Sequence, residues 1–234
     1  GLIDPVDNLK NRRVYVFGGT SDTIVRQQAV DATADFFQQV GIGKENLQYV
    51  KDVPAGHAVI TAKNGNDCPA NAEPYISHCT VNGKGYDQAG AILSHIYGPL
   101  NPPVSTPTGK TVSFNQRAYA AADTAMADTG FLYIPEACNA SGSRCKVHVA
   151  LHGCMQSAES VGDQFYTKTG YNNWADSNRI LVLYPQVNKS SLPYNPKGCW
   201  DWWGYTGMHY ADRQSPQMNA IKAMINRLTE QPAR

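Results

Sequence analysis

The chain reads as an α/β protein, and three observations predict that. Short apolar runs recur at strand length, stretches with helical apolar spacing separate them, and glycine or proline closes most of both. The first run, Val14 to Phe17, is followed by Gly18-Gly19-Thr20-Ser21-Asp22, which predicts a buried strand ending in a tight loop. Helical spacing over about 23–40 puts Val25, Ala29, Phe36 and Val40 on one stripe, and Gly41 and Gly43 end it. Leu47 to Val50 is a second strand, from which Pro54-Ala55-Gly56-His57 turns away. Together these make one strand–helix–strand unit, the building block of a parallel sheet.

Residues 62–86 are rich in loop formers. A helix carrying Ala89, Ile92, Leu93, Ile96 and Tyr97 follows, stopped by Gly98-Pro99. Four prolines over 99–109 mark a surface crossing between two halves of one domain, residues 1–234. Strands are predicted at 111–114, 131–134, 147–151 and 180–184, and a helix at 161–176. Ser215-Pro216 opens the last helix as N-cap and first residue, with a stripe of Ile221, Met224, Ile225 and Leu228. Strands alternating with helices predict a mostly parallel sheet with helices on both faces.

Composition excludes several functions. Twenty basic residues against nineteen acidic ones leave a net charge of +1, without the basic face that nucleic acid needs. No apolar run approaches the roughly 18 residues of a membrane-spanning helix. No His/Cys cluster has zinc spacing, and nothing in the pattern calls for a metal or cofactor. Six cysteines without a Cys-x-x-Cys pair read as disulfides in an oxidising compartment, extracellular or periplasmic. Neighbour pairing favours Cys68 with Cys79 and Cys138 with Cys145, leaving Cys154 and Cys199 to each other; buried free thiols are the alternative. The sequons Asn139-Ala140-Ser141 and Asn188-Lys189-Ser190 agree with secretion.

Asp22 and His57 each stand just past the end of a predicted strand, one strand–helix–strand unit apart. A right-handed crossover brings consecutive strand ends to one edge of the sheet, where open sheets place their active groups. An Asp holding a His is the orienting half of a Ser-His-Asp triad. Asp22 as a helix cap and His57 as a loop histidine are the plainer alternatives. His148-Val149-Ala150-Leu151-His152-Gly153-Cys154 is a strand running into a small-residue turn, the kind that offers a backbone N–H to an oxyanion. Cys199-Trp200-Asp201-Trp202-Trp203 concentrates three indoles, fit for an apolar ester chain or a sugar face, or for a small core beneath a disulfide. No Gly-x-Ser-x-Gly occurs, so the pattern holds two-thirds of a triad.

These stretches together, with Pro74-Tyr75-Ile76-Ser77-His78-Cys79, Thr129-Gly130-Phe131-Leu132-Tyr133-Ile134-Pro135 and Thr169-Gly170-Tyr171-Asn172, resemble the extracellular poly(3-hydroxybutyrate) depolymerases of the single-domain, circularly permuted α/β-hydrolase type. The resemblance implies a secreted serine esterase acting on poly- or oligo-3-hydroxyalkanoates. It implies Asp22 as triad acid, His57 as base, the Cys154 backbone N–H as oxyanion donor, and the Trp202 indole N–H as donor to a carbonyl of the ester chain. The family's serine lies before the acid, in an Ala-Ser-Gly-Gly type of turn. The expected partner is therefore a separate amino-terminal segment carrying that serine, without which the fold is incomplete and the chain inactive. A feruloyl- or acetyl-esterase acting on plant polysaccharide, or a non-catalytic polymer- or glycan-binding chain, are the competing expectations.

Overall fold

A computed structural model describes residues 1–121, 124–140 and 143–230. The chain clusters into two compact units. One, the amino-terminal unit, holds Asp4–Asn101 with Lys168–Gly170; the other, the carboxy-terminal unit, holds Pro102–Thr167 and Tyr171–Arg234 with Gly1–Ile3. The boundary at 101–102 falls inside the proline-rich crossing, where missing N–H groups and fixed φ angles prevent either half from continuing its regular structure.

In the amino-terminal unit, β1 (Val14–Phe17) pairs in parallel with β2 (Leu47–Val50), from Val14 opposite Leu47 to Phe17 opposite Val50. Helix α1 (Gln27–Gln39) connects them. Its buried residues are Val30 and Ala34, whereas Phe36 is 51% exposed and Val25 lies before the helix starts. The expected stripe is thus displaced around the helix: apolar spacing gives a period, and the neighbouring sheet selects the face. Then come β3 (Val59–Thr61), β4 (Asn66–Asp67) and β5 (Ile76–His78), with β5 central and parallel to both. The hairpin of β6 (Thr80–Val81) and β7 (Lys84–Gly85) leads into α2 (Gln88–Tyr97), whose N-cap Asp87 accepts the N–H of Gly90 at 2.9 Å. Val53, Ala55, Ile60 and Cys79 form the centre of this unit's core, with Phe17, Val50 and Tyr86 packed on it.

The carboxy-terminal unit is built on β8 (Lys110–Asn115), β9 (Thr129–Ile134), β10 (Lys146–Val149) and β11 (Ile180–Tyr184), in the order β10-β11-β9-β8. Only β10 and β11 are parallel there; β11–β9 and β9–β8 are antiparallel, so this sheet is mixed, not mostly parallel. For β8 and β9 the reason is local: among the described residues the link between them carries no crossover helix, and without one a return strand runs antiparallel. β11 sits between β10 and β9, and its Ile180, Val182, Leu183 and Tyr184 are at most 1% exposed. Gln116, fully buried, holds the β8–β9 link: its amide donates to the carbonyls of Ala127 and Gln186 and accepts the N–H of Gln186.

The helix expected at 161–176 is three short ones, α3 (Ala158–Val161), α4 (Gln164–Lys168) and α5 (Tyr171–Asn178), interrupted where Gly162 and Gly170 turn left-handed. Helix α6 (Pro216–Thr229) begins as expected, with the Ser215 hydroxyl accepting the N–H of Met218. Met224 is buried, and Ile221, Ile225 and Leu228 pack with it on Leu183 and Val187. The disulfides are 68–79, 138–145 and 154–199, each as expected. Ser141 of the first sequon lies outside the described residues, and no described helix is long and apolar enough to cross a membrane.

Candidate functional site

The loop after β1 and the loop after β2 are laced together by backbone bonds. Thr20 N–H donates to Val53 and Ser21 N–H to Ala55, at 2.9 and 3.0 Å. Gly19 permits this approach, since a Cβ there would stand 2.1 Å from the Ala55 carbonyl oxygen. Gly56 does the same one layer on: its N–H donates to the Cys68 carbonyl, and a Cβ would strike the Ala70 carbonyl at 2.1 Å. Two residues of small volume therefore bring Asp22 and His57 to the same place.

His57 Nδ1 lies 2.9 Å from Asp22 Oδ2. The other carboxylate oxygen, Oδ1, accepts the N–H groups of Ile24 and Val25, each at 2.8 Å. Asp22 thus caps its own turn with one oxygen and holds the histidine with the other; helix α1 starts later, from Arg26. An accepting carboxylate puts the imidazole proton on Nδ1 and leaves Nε2 as an acceptor. Among the described residues Nε2 has no hydrogen-bond partner. The Asp22 side chain is 10% exposed and that of His57 40%, a buried acid behind an accessible base. The ring of Tyr75 meets the imidazole edge-on, with centroids 6.1 Å apart.

Sequence pattern does not reveal Asn71, whose amide joins this site at four points. Its oxygen accepts the N–H groups of Thr23 and His57, and its nitrogen donates to the carbonyls of Ser21 and Pro69. The only signal available in the sequence is its place in the short loop closed by Cys68 and Cys79.

In the carboxy-terminal unit, β10 runs into the turn at Gly153-Cys154. His152 is 2% exposed: its Nε2 accepts the N–H of Val187 at 3.1 Å, so Nδ1 carries the proton toward the Gly153 carbonyl at 2.7 Å. Burial pulls its pKa down, opposed by the bond to Gly153. This neutral imidazole is a fastener for the turn, with both nitrogens committed. The Cys154 N–H has no partner among the described residues, as an oxyanion donor requires. The next residue, Met155, takes a positive φ of 60° and donates to the Lys197 carbonyl.

The three indoles divide their roles. Trp200 is half-buried, packs on the core of this unit and donates its N–H to the His152 carbonyl at 3.0 Å. Trp202 is 72% exposed, and its N–H has no partner among the described residues. Trp203 stands between them in exposure and meets Trp202 edge-on at 5.2 Å. Asp201 shapes the loop by accepting the N–H groups of Trp203, Gly204, Tyr205 and Thr206 and the Thr206 hydroxyl. Burial pushes its carboxyl up, and these bonds outweigh that and hold it below the ordinary value. Trp200 and the 154–199 disulfide both tie this loop to the Gly153-Cys154 turn. A separate open pocket of about 490 Å³, lined in part by Arg117, Asp128, Phe131 and Leu192, includes neither Cys154 nor Trp202.

Known proteins are similar to this chain over nearly its whole length. A family model described as Esterase PHB depolymerase matches residues 129–231. A poly(3-hydroxybutyrate) depolymerase of Delftia acidovorans is 43% identical over 232 residues, which are 98% of this chain and 45% of that protein. The chain therefore spans less than half the length of that relative. A polyhydroxybutyrate depolymerase of Talaromyces funiculosus is 37% identical over 241 residues, covering 97% of this chain and 68% of that protein. A solved PHB depolymerase with a serine-to-alanine substitution, complexed with an R3HB trimer, superposes with a TM-score of 0.89 at 37% identity, covering 97% of this chain and 73% of that one. The crystal structure of PHB depolymerase from Penicillium funiculosum gives 0.88 with the same identity and coverage.

Proposed function

The chain belongs to the poly(3-hydroxybutyrate) depolymerase family, and from that premise we propose that it supplies the acid, base and oxyanion donor of a secreted serine esterase that cleaves poly- or oligo-3-hydroxybutyrate. The observation that carries this reading is the 2.9 Å contact between His57 Nδ1 and Asp22 Oδ2, with Nε2 unoccupied by any partner among the described residues. The Nε2 atom takes the proton of a serine hydroxyl as its oxygen attacks the ester carbonyl. Asp22 keeps the imidazole in the right tautomer and stabilises the imidazolium that forms. The Cys154 N–H steadies the tetrahedral oxyanion, and the Trp202 indole donates to a carbonyl of the bound chain. The imidazolium then gives its Nε2 proton to the leaving alkoxide oxygen as the ester C–O bond breaks, and the same His57 activates the water that releases the acyl group.

The serine itself is proposed to lie on a separate segment. The support is chemical: the chain has no Gly-x-Ser-x-Gly, and among the described residues no serine hydroxyl bonds to His57. It is also structural, since β1 and β10 are each bonded to a neighbour on one side only, among the described residues. Open edges of apolar strands are ready to take a further strand. Residues 1–234 then belong to one α/β-hydrolase-type catalytic domain in circular permutation, with the oxyanion strand following acid and base in the chain. Extracellular or periplasmic residence is supported by three disulfides.

The exposure of Trp202 favours one second reading, a polymer-binding chain without turnover. Initial rates on a soluble 3-hydroxybutyrate trimer ester, measured on the enzyme with its serine-bearing segment, separate the two. Loss of nearly all turnover in His57→Ala with the fold retained is the expected result. Activity within tenfold of the parent rejects the triad, and polymer binding with no turnover in the parent supports the second reading. Denaturing mass spectrometry of the active material checks for a serine-bearing peptide.

A further inference from the structure

Asn71 uses the full hydrogen-bonding capacity of its side chain: one of the four bonds falls on the backbone of His57 and two on the residues either side of Asp22. Its Oδ1 accepts the N–H of Thr23 at 3.0 Å and that of His57 at 2.9 Å. Its Nδ2 donates one hydrogen to the Ser21 carbonyl at 2.9 Å and the other to the Pro69 carbonyl at 3.1 Å. The partners settle the orientation of the amide, since two N–H donors need the oxygen and two carbonyls need the nitrogen. Ser21 and Thr23 flank Asp22 on both sides. The Asn71 side chain, like that of Asp22, bonds both the acid loop and the base loop.

We propose that Asn71 is the positioning residue of the Asp22–His57 pair: it sets the distance and angle between acid and base by clamping the backbone on either side of Asp22 to the backbone of His57. This rests on reading that pair as the acid and base of an ester hydrolase. The Asp22 carboxylate is aimed by the N–H groups of Ile24 and Val25, but that fixes it only relative to its own turn. His57 belongs to a different loop, and Asn71 to a third, which the Cys68–Cys79 disulfide closes and the Gly56 N–H bonds to the Cys68 carbonyl. Without the amide, the Thr23 and His57 N–H groups and the Ser21 carbonyl turn to water. The Thr20–Val53 and Ser21–Ala55 backbone bonds still join the two loops, but the segments at Asp22 and His57 loosen beyond them, and the imidazole samples angles at which Nε2 is out of line with a serine hydroxyl. Asn71 touches neither the substrate nor the reacting atoms, so the loss falls on kcat and spares KM.

The test is Asn71→Ala and Asn71→Asp in the full-length enzyme, with kcat and KM on a soluble trimer ester. The aspartate variant keeps the shape and loses both donors, so it serves if the alanine variant folds poorly. A fall in kcat of about 10²-fold, the usual cost of a misplacement near 1 Å, is expected, with KM within about twofold. Asn66→Ala is the control for mere loop stability. Its amide donates to the Ala72 and Glu73 carbonyls of the same loop and bonds neither Ser21, Thr23 nor His57. It should lower Tm about as much as Asn71→Ala and leave kcat unchanged. In an Asp22→Asn background, Asn71→Ala should cost less than about threefold, because the pair it positions is already disabled. A full and additive loss there, or an equal loss of kcat in Asn66→Ala, overturns the proposal.

The downfield proton resonance of His57 Nδ1–H supplies a readout that needs no turnover. It should be present in the parent and broadened or lost in both Asn71 variants. A parent that shows the resonance and hydrolyses no ester refutes the esterase reading, while the resonance still decides for or against Asn71. An unchanged resonance in both variants overturns the role of Asn71 even in an active enzyme.

Discussion

Asp201→Asn is a change of one atom that should unfold the indole loop. The Asp201 carboxylate collects five donors: Oδ1 takes the N–H groups of Trp203, Gly204 and Tyr205 at 3.2, 2.7 and 3.1 Å. Oδ2 takes the N–H and the hydroxyl of Thr206, both at 2.7 Å. Its own N–H donates to Gln217 on α6, which anchors the loop to the core helix. An asparagine can keep its oxygen on the three backbone donors, but its NH₂ then faces the Thr206 N–H, donor against donor. The Thr206 hydroxyl can rotate to accept, while the N–H cannot. One charge-assisted bond is lost and one N–H is orphaned, at a cost of roughly 2–4 kcal/mol. At about 2–4 °C per kcal/mol for a chain of this size, Tm should fall by roughly 5–15 °C. Near-UV circular dichroism from the Trp202–Trp203 contact should weaken alongside. Thr206→Val removes only the hydroxyl and should cost at most about 1.5 kcal/mol. Because the folded carboxyl is held below its ordinary value of 3.8, its contribution is complete above that pH and fades as pH falls through the folded value. The gap between Asp201→Asn and the parent should close in the same direction. A variant within 2 °C of the parent (about 1 kcal/mol or less) with unchanged near-UV signal refutes the argument.

Trp202→Phe keeps a ring and removes the N–H; kcat/KM on the trimer ester should drop by a factor equivalent to about 1–2 kcal/mol with Tm unmoved. Equal kcat/KM removes Trp202 as a donor. Burial depresses His148 to about 4, so the folded state keeps it neutral while the unfolded chain titrates at 6.5. The unfolded state binds the extra proton between these values, so stability should fall as pH drops from about 6.5 to 4, by at most about 3 kcal/mol. Urea unfolding at several pH values, in the parent and in His148→Leu, checks this; an equal slope in both sinks it. Gln116→Ala orphans the Ala127 carbonyl and the Gln186 N–H in a fully buried place, while the Gln186 carbonyl keeps the Ala127 N–H, and should destabilise by roughly 2–5 kcal/mol in the same assay. A loss below about 1 kcal/mol means that water or a backbone shift replaces the amide.

Much of the fold was legible because it depends on neighbours in the chain. Apolar runs located β1, β2, β9, β10 and β11, and glycine, proline and Ser215-Pro216 placed several of the ends. Gly162 and Gly170 were a visible signal for the breaks between α3, α4 and α5 that the helical reading of 161–176 passed over. The buried face of α1 had no such signal. Its sequence offers more than one apolar line, and only the sheet beneath selects Val30 and Ala34. The direction of β9 was equally hidden, since an apolar run is the same read either way.

The candidate site divides along the same line. Residue type and position after a strand end, together with the resemblance to a family, pointed to Asp22, His57, Cys154 and Trp202, and to six cysteines in three near-neighbour or leftover pairs. These signals are local: a strand, a turn residue, a side chain able to do the chemistry. What tertiary structure alone decided is which groups are spent and which are free. His152 and Trp200 carry the same functional groups as His57 and Trp202, yet both nitrogens of the one and the N–H of the other are consumed in fastening a turn. Asn71 is an ordinary loop asparagine until three loops converge on its amide. A sequence specifies the donors and acceptors a side chain carries, whereas their partners come from segments tens of residues away, and only folding brings those within the 3 Å at which a hydrogen bond exists.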